Sequence, residues 1–545
     1  MKTSGKKLIS GNHILLLIIL LVGSLVRLLY LGSVPGGLHQ DEAIVAWNAF
    51  SLFNHGFDSA GNIWPVYVAD WGDGHSLLYP VLTLPFIGLA GNHLSHFVTR
   101  LPQALVGILT ILALYAILKK MFNEKMGLWG AFLLAICPWH ITMCRWGLDA
   151  NLVPGFLMFG LFFFLKGMEN QRYLLLSALC YGLTLHTYAV IWPMVPVVLL
   201  IQIVYGLCHR KLRINGWSIG ASLVVFILAL PLMLFVLINA GYMEEIRLPF
   251  MTIPAMKNYS SRAGELALTP ATMLHNLKRV LSLLVRNDTG AIYDIIMPSG
   301  LYYNLGRVFI VLGFICLMWK LIRKKIVKEF SYEFFLFAQL VGAGLICLLV
   351  EVDLHQTNCL FIPLVMCEAY GVVSLLTWLG KRLKGKKTVS AVTAVLAGAF
   401  LLYFGQFEYL YFTEYKELVS LYFAEGVSES IPYAVDKAKE IGELTGTYPR
   451  VIVHRGTQWP RVLYYTETDG AEYLAHIQYK ENGIEPYSYT SNGITIVNEI
   501  DLDNIDKDAI YVFYFDTLDV FRDDFEITEY IDWRVGVPKS YGTLQ

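Results

Sequence analysis

Two adjacent carboxylates, Asp41 and Glu42, follow a histidine in Leu38-His39-Gln40-Asp41-Glu42-Ala43. A carboxylate within reach of substrate can take the proton of an attacking hydroxyl or amine, the one acid–base step that displacement of a good leaving group requires. Further on, Asp70-Trp71-Gly72-Asp73-Gly74-His75 adds two acids and an imidazole. The glycines around Asp70 and Asp73 also suit a turn that those side chains would cap. An anionic headgroup calls for Arg, Lys or His nearby, and the candidates include Arg100, Arg145, Arg247, Arg262 and His355. Arg145 and Asp149 are spaced at i and i+4, either to pair with each other on a helix or to meet substrate. His355, in Asp353-Leu354-His355-Gln356-Thr357-Asn358, is either a solvated loop histidine or a headgroup ligand.

These residues have to be positioned by a membrane-spanning scaffold. Of the 545 residues, 56% are hydrophobic, 14% aromatic and 16% charged, and the mean hydropathy is +0.52; that composition marks a polytopic membrane protein. A net charge of -1 offers no basic field for nucleic acid. The eight cysteines sit mostly inside apolar runs and none lies beyond Cys367, so they read as packing residues rather than a disulfide or zinc framework. Residues 14–31, preceded by Lys2 to Lys7, resemble a signal peptide in outline. Arg27 falls inside the run and no small-residue cleavage site follows, which favours a retained anchor.

A spanning helix needs about 20 apolar residues, and basic loops mark the cytoplasmic side. Spans are expected at 14–31, 101–121, 127–143, 152–166, 173–191, 193–207, 217–239, 303–322, 334–350, 359–379 and 389–405, about eleven in all. The patch 77–89 is short and contains Pro80 and Pro85. Laying it in the interface, within an outer loop 32–100, leaves every basic cluster cytoplasmic, from Lys119/Lys120/Lys125 to Lys381/Arg382/Lys384. The expected organisation is a transmembrane domain, 1–405, with outer loops 32–100 and 240–302, its N-terminus cytoplasmic. Residues 406–545 turn mixed and acidic, with helical periodicity at 431–444 and strand patterns at 451–454, 494–497, 510–514 and 528–533. They are expected to form a small extracytoplasmic α/β domain with its own core.

His39-Gln40-Asp41-Glu42-Ala43 after a first span resembles the entry to the first outer loop of glycosyltransferase family 39, the protein O-mannosyltransferases and lipid A aminoarabinose transferases. Gly74-His75-Ser76-Leu77-Leu78-Tyr79-Pro80, Arg100-Leu101-Pro102, Cys137-Pro138-Trp139-His140 and Arg145-Trp146-Gly147-Leu148-Asp149 follow in the family's order. The resemblance spans roughly the first 200 residues and, more loosely, the helices to Gly405. It implies a mainly α, C-type membrane glycosyltransferase fold and a polyprenyl-phosphate-linked sugar as donor. The acceptor is then a lipid, a protein or a polysaccharide, and the setting the cytoplasmic membrane. It further implies that Asp41 is the catalytic base, with Glu42 beside it, and that Asp73 is the second acid of the loop. In such enzymes the loop 240–302 covers the site and excludes water. Two departures stand out: His75-Ser76 replaces a double proline, and Thr184-Leu185-His186-Thr187-Tyr188 lies where many members carry a lysine, leaving His186, with Tyr188, as a phosphate contact.

No phosphate-binding Gly-rich loop, His-Glu-x-x-His or paired Cys-x-x-Cys occurs, so no cofactor is required. A divalent cation at Asp41 and Asp73 is conceivable, but two acids without further ligands make no metal site. Two other readings stay open. A transporter or lipid flippase would show mid-membrane charges and inverted repeats, whereas no repeat is visible and the candidate charges lie at the outer face. A non-catalytic cell-envelope assembly protein would use its C-terminal domain for binding.

Overall fold

The computed structural model describes residues 11–70, 74–257, 269–323, 329–383, 386–479, 486–491, 493–514 and 521–542. The chain folds into two units. One comprises Met1–Leu29, Gln103–Ala229 and Glu265–Phe412; the other comprises Tyr30–Pro102, Leu230–Gly264 and Thr413–Gln545.

The first unit is helical. Among the described residues of the whole chain, eight helices are long and apolar enough to cross a membrane: Gly11–Leu28, His96–Met121, Asp149–Gly167, Ala189–Cys208, Gly216–Asn239, Asn304–Arg323, Asn358–Arg382 and Lys387–Phe412. A ninth span is formed if Glu124–Ala135 and Pro138–Cys144, bent by 60°, are taken together. Pro138 opens the second piece, where its missing N–H does least harm. Tyr173–Thr184 and Glu333–Leu349 are shorter apolar helices. The single helix expected over 173–191 stops at Thr184, and the 3-10 turn Ala189–Ile191 leads into Met194–Cys208 instead. Leu78–Leu89 is a helix of 12 residues, too short for a bilayer.

Two kinds of contact hold this unit together. Helices Asn304–Arg323 and Phe361–Leu383 meet backbone to backbone. A Cβ on Gly313 would lie 1.8 Å from Cys367 O, and one on Gly371 would lie 2.2 Å from Phe309 O. Small residues permit that approach where no hydrophobic drive separates helix from lipid. The second contact is Arg27, which is fully buried. It donates to the carbonyls of Gly23, Ala135 and Leu134 and, at 2.7 Å, to His140 Nδ1. Leu134 and Ala135 end the helix that breaks before Pro138, so the arginine inside the first apolar run satisfies carbonyls that the break leaves open.

The second unit is built on a seven-stranded sheet. Its strands are β1 (Val451–His454), β2 (Ile477–Tyr479), β3 (Pro486–Ser491), β4 (Ile494–Val497), β5 (Ile510–Tyr514), β6 (Phe525–Glu529) and β7 (Trp533–Pro538). They lie in the order β6-β7-β5-β1-β4-β3-β2. β1 runs parallel to β4 and β5, with Val451 opposite both Ile494 and Ile510; the other pairs are antiparallel. The strand expected over 528–533 is instead the end of β6, a turn with Asp532 at φ +58, and the start of β7. Ala509, Tyr511, Phe513, Phe521 and Phe525 form one core.

A second core explains why residues 30–102, expected to belong with the transmembrane domain, join the C-terminal segment. Leu38, Ala43 and Ala46 pack with Tyr464. Trp47 is fully buried, donates Nε1–H to Thr468 O at 2.8 Å and meets Tyr473 edge-on at 5.0 Å. The division therefore falls after Phe412, with 30–102 on the C-terminal side of it, rather than at 405.

Candidate active site

The helix Gln40–His55 carries the paired acids in its first turn. His39 caps it: His39 Nδ1 accepts from Asp41 N–H at 3.4 Å, and the Glu42 carboxylate accepts from His39 N–H at 3.1 Å. The same Nδ1 lies 3.5 Å from Asp41 Oδ2. Both carboxylates also suit the positive end of the helix.

The two neighbours then part company. Glu42 is wholly buried and takes a two-point ion pair from Arg100, Nε to Oε1 at 2.9 Å and Nη2 to Oε2 at 3.1 Å. Arg100, also wholly buried, donates further to Leu31 O, Pro35 O and Gly37 O at 3.4, 2.9 and 2.8 Å. Asp41 keeps 46% of its side chain exposed. This corrects two expectations. Glu42 is not placed for catalysis, because both its oxygens are committed inside the protein. Arg100 does not face a donor phosphate, because its guanidinium is closed off by Glu42 and backbone carbonyls.

Asp70 and His75 form the next pair in this unit. The two-stranded ladder of Tyr67–Val68 with His75–Ser76 sets Val68 opposite His75. Asp70 Oδ2 then lies 2.9 Å from His75 Nδ1, with both side chains buried. Gly74, at φ +122, allows the close approach to Val68; a Cβ there would lie 2.3 Å from Val68 O. Asp73 and Arg262 lie outside the described residues. Arg247 is exposed and bonded to Glu245, so it is paired locally rather than held towards a ligand.

The helical unit holds the remaining candidates. Arg145 is buried; it donates to Tyr411 Oη at 3.1 Å and Val26 O at 2.9 Å, with its guanidinium over the Tyr411 and Phe412 rings. The helix ends at Cys144 and Asp149 opens a 3-10 turn, so the helical i, i+4 geometry expected for Arg145 and Asp149 does not arise. Asp149 Oδ1 accepts from Ala150 N–H at 2.7 Å. His186 Nε2 donates to Leu228 O at 2.9 Å, which ties the imidazole to a neighbouring helix instead of a headgroup; Tyr188 is extended just before the 3-10 turn. His355 stands edge-on to Trp146 at 4.6 Å, with Nδ1 3.4 Å from Asn151 Oδ1 and Nε2 3.7 Å from Asp294 Oδ1. Asn358 donates to Ala150 O and Asn151 Oδ1, both at 3.1 Å, and Gln103 to Asn151 O at 2.8 Å. His355 is thus part of a buried amide-rich network, not a solvated loop residue. Among the described residues no three His, Cys, Asp or Glu side chains gather as metal ligands.

Sequence reasoning passed over two groups. Glu368, inside the helix Phe361–Leu383, is buried against a cavity of about 10 Å³ lined by Cys137, Tyr302 and Tyr303, which is room for one water. Arg461, in the helix Trp459–Tyr465, donates Nε–H to Leu38 O at 2.8 Å, three residues ahead of Asp41. Its local signal was Trp459-Pro460, a helix start, in a segment without a recognised motif.

Comparison with known proteins adds to this geometry. Residues 75–235 match the model of a family described as dolichyl-phosphate-mannose-protein mannosyltransferase. No curated protein matches the chain. Crystal structures of ArnT from Cupriavidus metallidurans, apo and bound to undecaprenyl phosphate, align with TM-scores of 0.51 and 0.52. Each is 14% identical, over 96% of this chain and 97% of theirs. The oligosaccharyltransferase of Archaeoglobus fulgidus, solved with Zn and sulfate, aligns with a TM-score of 0.50 at 12% identity, over 84% of this chain. Only 62% of that longer protein is covered. The chain therefore has the C-type membrane glycosyltransferase fold: a mainly helical, multi-pass body with a small mixed sheet in its C-terminal region.

Proposed function

We propose that the protein moves a sugar from a polyprenyl-phosphate donor to an acceptor at the extracytoplasmic face of the membrane, with Asp41 as the general base. The observation that carries this is the division of labour in one helical turn: Glu42 is sealed against Arg100 while its neighbour Asp41 stays accessible. A base must meet solvent and substrate, and a buried ion pair beside it keeps its backbone in place. The match of 75–235 to a family of lipid-phosphate sugar transferases, and the likeness to a protein solved with undecaprenyl phosphate, support the donor class.

In the reaction, Asp41 takes the proton of an acceptor hydroxyl or amine. The acceptor atom bonds to the anomeric carbon from the face opposite the phosphate. The carbon–oxygen bond to phosphate breaks, and the polyprenyl phosphate leaves with the electron pair, so the configuration inverts. The phosphate is already a good leaving group and asks only for positive charge nearby. The acceptor is a lipid, a protein or a cell-envelope polysaccharide. The N-terminus and the basic loops face the cytoplasm in this reading, and the α/β part lies outside.

The test is a transfer assay in membranes with labelled polyprenyl-phosphate sugars, following label into lipid, protein and polymer. Asp41→Asn is expected to lower turnover about 10²- to 10⁴-fold at unchanged expression. Near-normal turnover by that variant would refute the role of Asp41.

A further inference from the structure

The proposed chemistry needs a cation at the departing phosphate, and among the described residues two arginines of the unit that carries Asp41 are already taken: Arg100 by Glu42 and three carbonyls, Arg247 by Glu245. We propose that Arg461, supplied by the C-terminal α/β part of the chain, binds the phosphate of the lipid-linked donor beside Asp41. The inference rests on the reading of Asp41 as the base.

Arg461 is only 6% exposed, so its placement is deliberate rather than that of a solvated surface cation. Its Nε holds Leu38 O at 2.8 Å and its Nη1 holds Gln458 Oε1 at 3.1 Å. Among the described residues nothing accepts from Nη2, which leaves a donor edge for an anion. The anchor is itself strained: Gln458 sits at φ 63, ψ 126, a conformation that favours glycine. A side-chain-bearing residue held there, with its amide oxygen spent on Arg461, is the kind of outlier that accompanies a functional site. The helix Trp459–Tyr465 packs directly on the helix of Asp41.

Charge completes the argument. Arg100 and Glu42 neutralise each other, and Arg461 faces Asp41 and Glu42 through space. Burial pulls the Arg461 guanidinium below its ordinary range, while Tyr465, Asp41 and Glu42 act in the opposite sense. The two arginines and two acids sum to zero at rest. When Asp41 takes the acceptor's proton, the charge of Arg461 is left uncompensated, just as the phosphate gains the electrons of the breaking bond.

The experiment uses the purified full-length protein in nanodiscs, with undecaprenyl phosphate and inorganic phosphate as separate probes, read by thermal shift and native mass spectrometry. Undecaprenyl phosphate is expected to bind Asp41→Asn at least as tightly as wild type, because that substitution also leaves the charge of Arg461 uncompensated. Arg461→Gln should bind it about 10- to 100-fold more weakly, the loss of one charge-assisted contact. Arg461→Lys should fall between, since an ammonium keeps the charge but not the fork. Inorganic phosphate should bind more weakly with the same ranking. Equal affinity of wild type and Arg461→Gln overturns the proposal. If Arg461→Gln does not fold, unchanged affinity in Arg461→Lys overturns it. Binding of inorganic phosphate without any effect of undecaprenyl phosphate overturns the lipid-linked assignment. Turnover by Asp41→Asn would instead sink the reading of Asp41 while leaving the phosphate result standing.

Discussion

Replacing Glu42 by glutamine separates a structural acid from a catalytic one. The side chain keeps its size, but the buried guanidinium of Arg100 loses its counter-charge in a place closed to water. Removing one partner of a buried pair typically costs about 3–5 kcal/mol. Arg100 retains the carbonyls of Leu31, Pro35 and Gly37, so the low end, about 3 kcal/mol, is expected for Glu42→Gln. Glu42→Ala also deletes the acceptor for His39 N–H, adding about 1 kcal/mol for the lost cap. The double variant Glu42→Leu/Arg100→Met removes both charges together. It should be less destabilised than the sum of its singles, with a coupling of about 2 kcal/mol or more. The assay is denaturation of the purified protein in detergent followed by tryptophan fluorescence, with sugar transfer measured at a temperature where each variant is folded. Glu42→Gln should be markedly less stable yet retain measurable transfer. A Glu42→Gln protein that melts with wild type but has lost all turnover would refute the reasoning, because Glu42 would then act on substrate rather than on Arg100.

Trp47→Ala should destabilise the second unit by about 3–5 kcal/mol through a cavity in its core, whereas Trp47→Phe should cost less, mainly the bond to Thr468 O; melting curves distinguish them. Gly313→Val should prevent the helices Asn304–Arg323 and Phe361–Leu383 from closing, since even a Cβ would lie 1.8 Å from Cys367 O, and is read as loss of monodisperse protein in size-exclusion chromatography. Asp469 caps the helix Gly470–His476 and bonds to His55. Burial raises its carboxyl, but His55 and the amides of Glu472 and Ala471 outweigh that and hold it below the ordinary aspartate value. Its contribution is therefore present above the unfolded-state value and lost as pH falls through the lower folded one. With the side chain 49% exposed, the effect is under about 1 kcal/mol: wild type should lose its advantage over Asp469→Asn as pH is lowered from about 5 to about 3.

What could be read from residues alone depended on whether the signal was local. Apolar run length is local, and helices stand at most of the expected spans; 127–143 is broken and bent by 60° ahead of Pro138, and 173–191 is broken where Thr184 yields to a turn. Strand alternation in 451–454, 494–497 and 510–514 is local as well, and those strands are present. The stretch 528–533 misled because a hairpin turn through Asp532 lies inside an alternating pattern. Arg27 looked like an interruption of an apolar run; its purpose depends on carbonyls more than a hundred residues away, at Leu134 and Ala135. The roles of the cations were least legible, because a guanidinium offers the same chemistry to a carboxylate, a carbonyl or a phosphate. Only the fold shows that Arg100 is taken by Glu42 and that His186 is bonded to Leu228 O.

The same limit applies to Asp41 and Glu42 themselves. An amphipathic helix would reveal by its polar stripe which of two neighbouring acids points outward. The helix Gln40–His55 has no such stripe, since every residue from Glu42 to Leu52 is buried. A helix enclosed on all sides exposes only its ends, so accessibility here is set by position in the first turn. Asp41 lies one residue before the enclosure closes, and Glu42 one residue inside it. The enclosing partners come from both ends of the unit: Leu38, Ala43 and Ala46 pack with Tyr464, and Arg461 holds Leu38 O. The C-terminal segment is therefore part of what decides which acid is left to do chemistry, and a chain cut after Phe412 would be expected to lose the distinction between Asp41 and Glu42 along with the sheet.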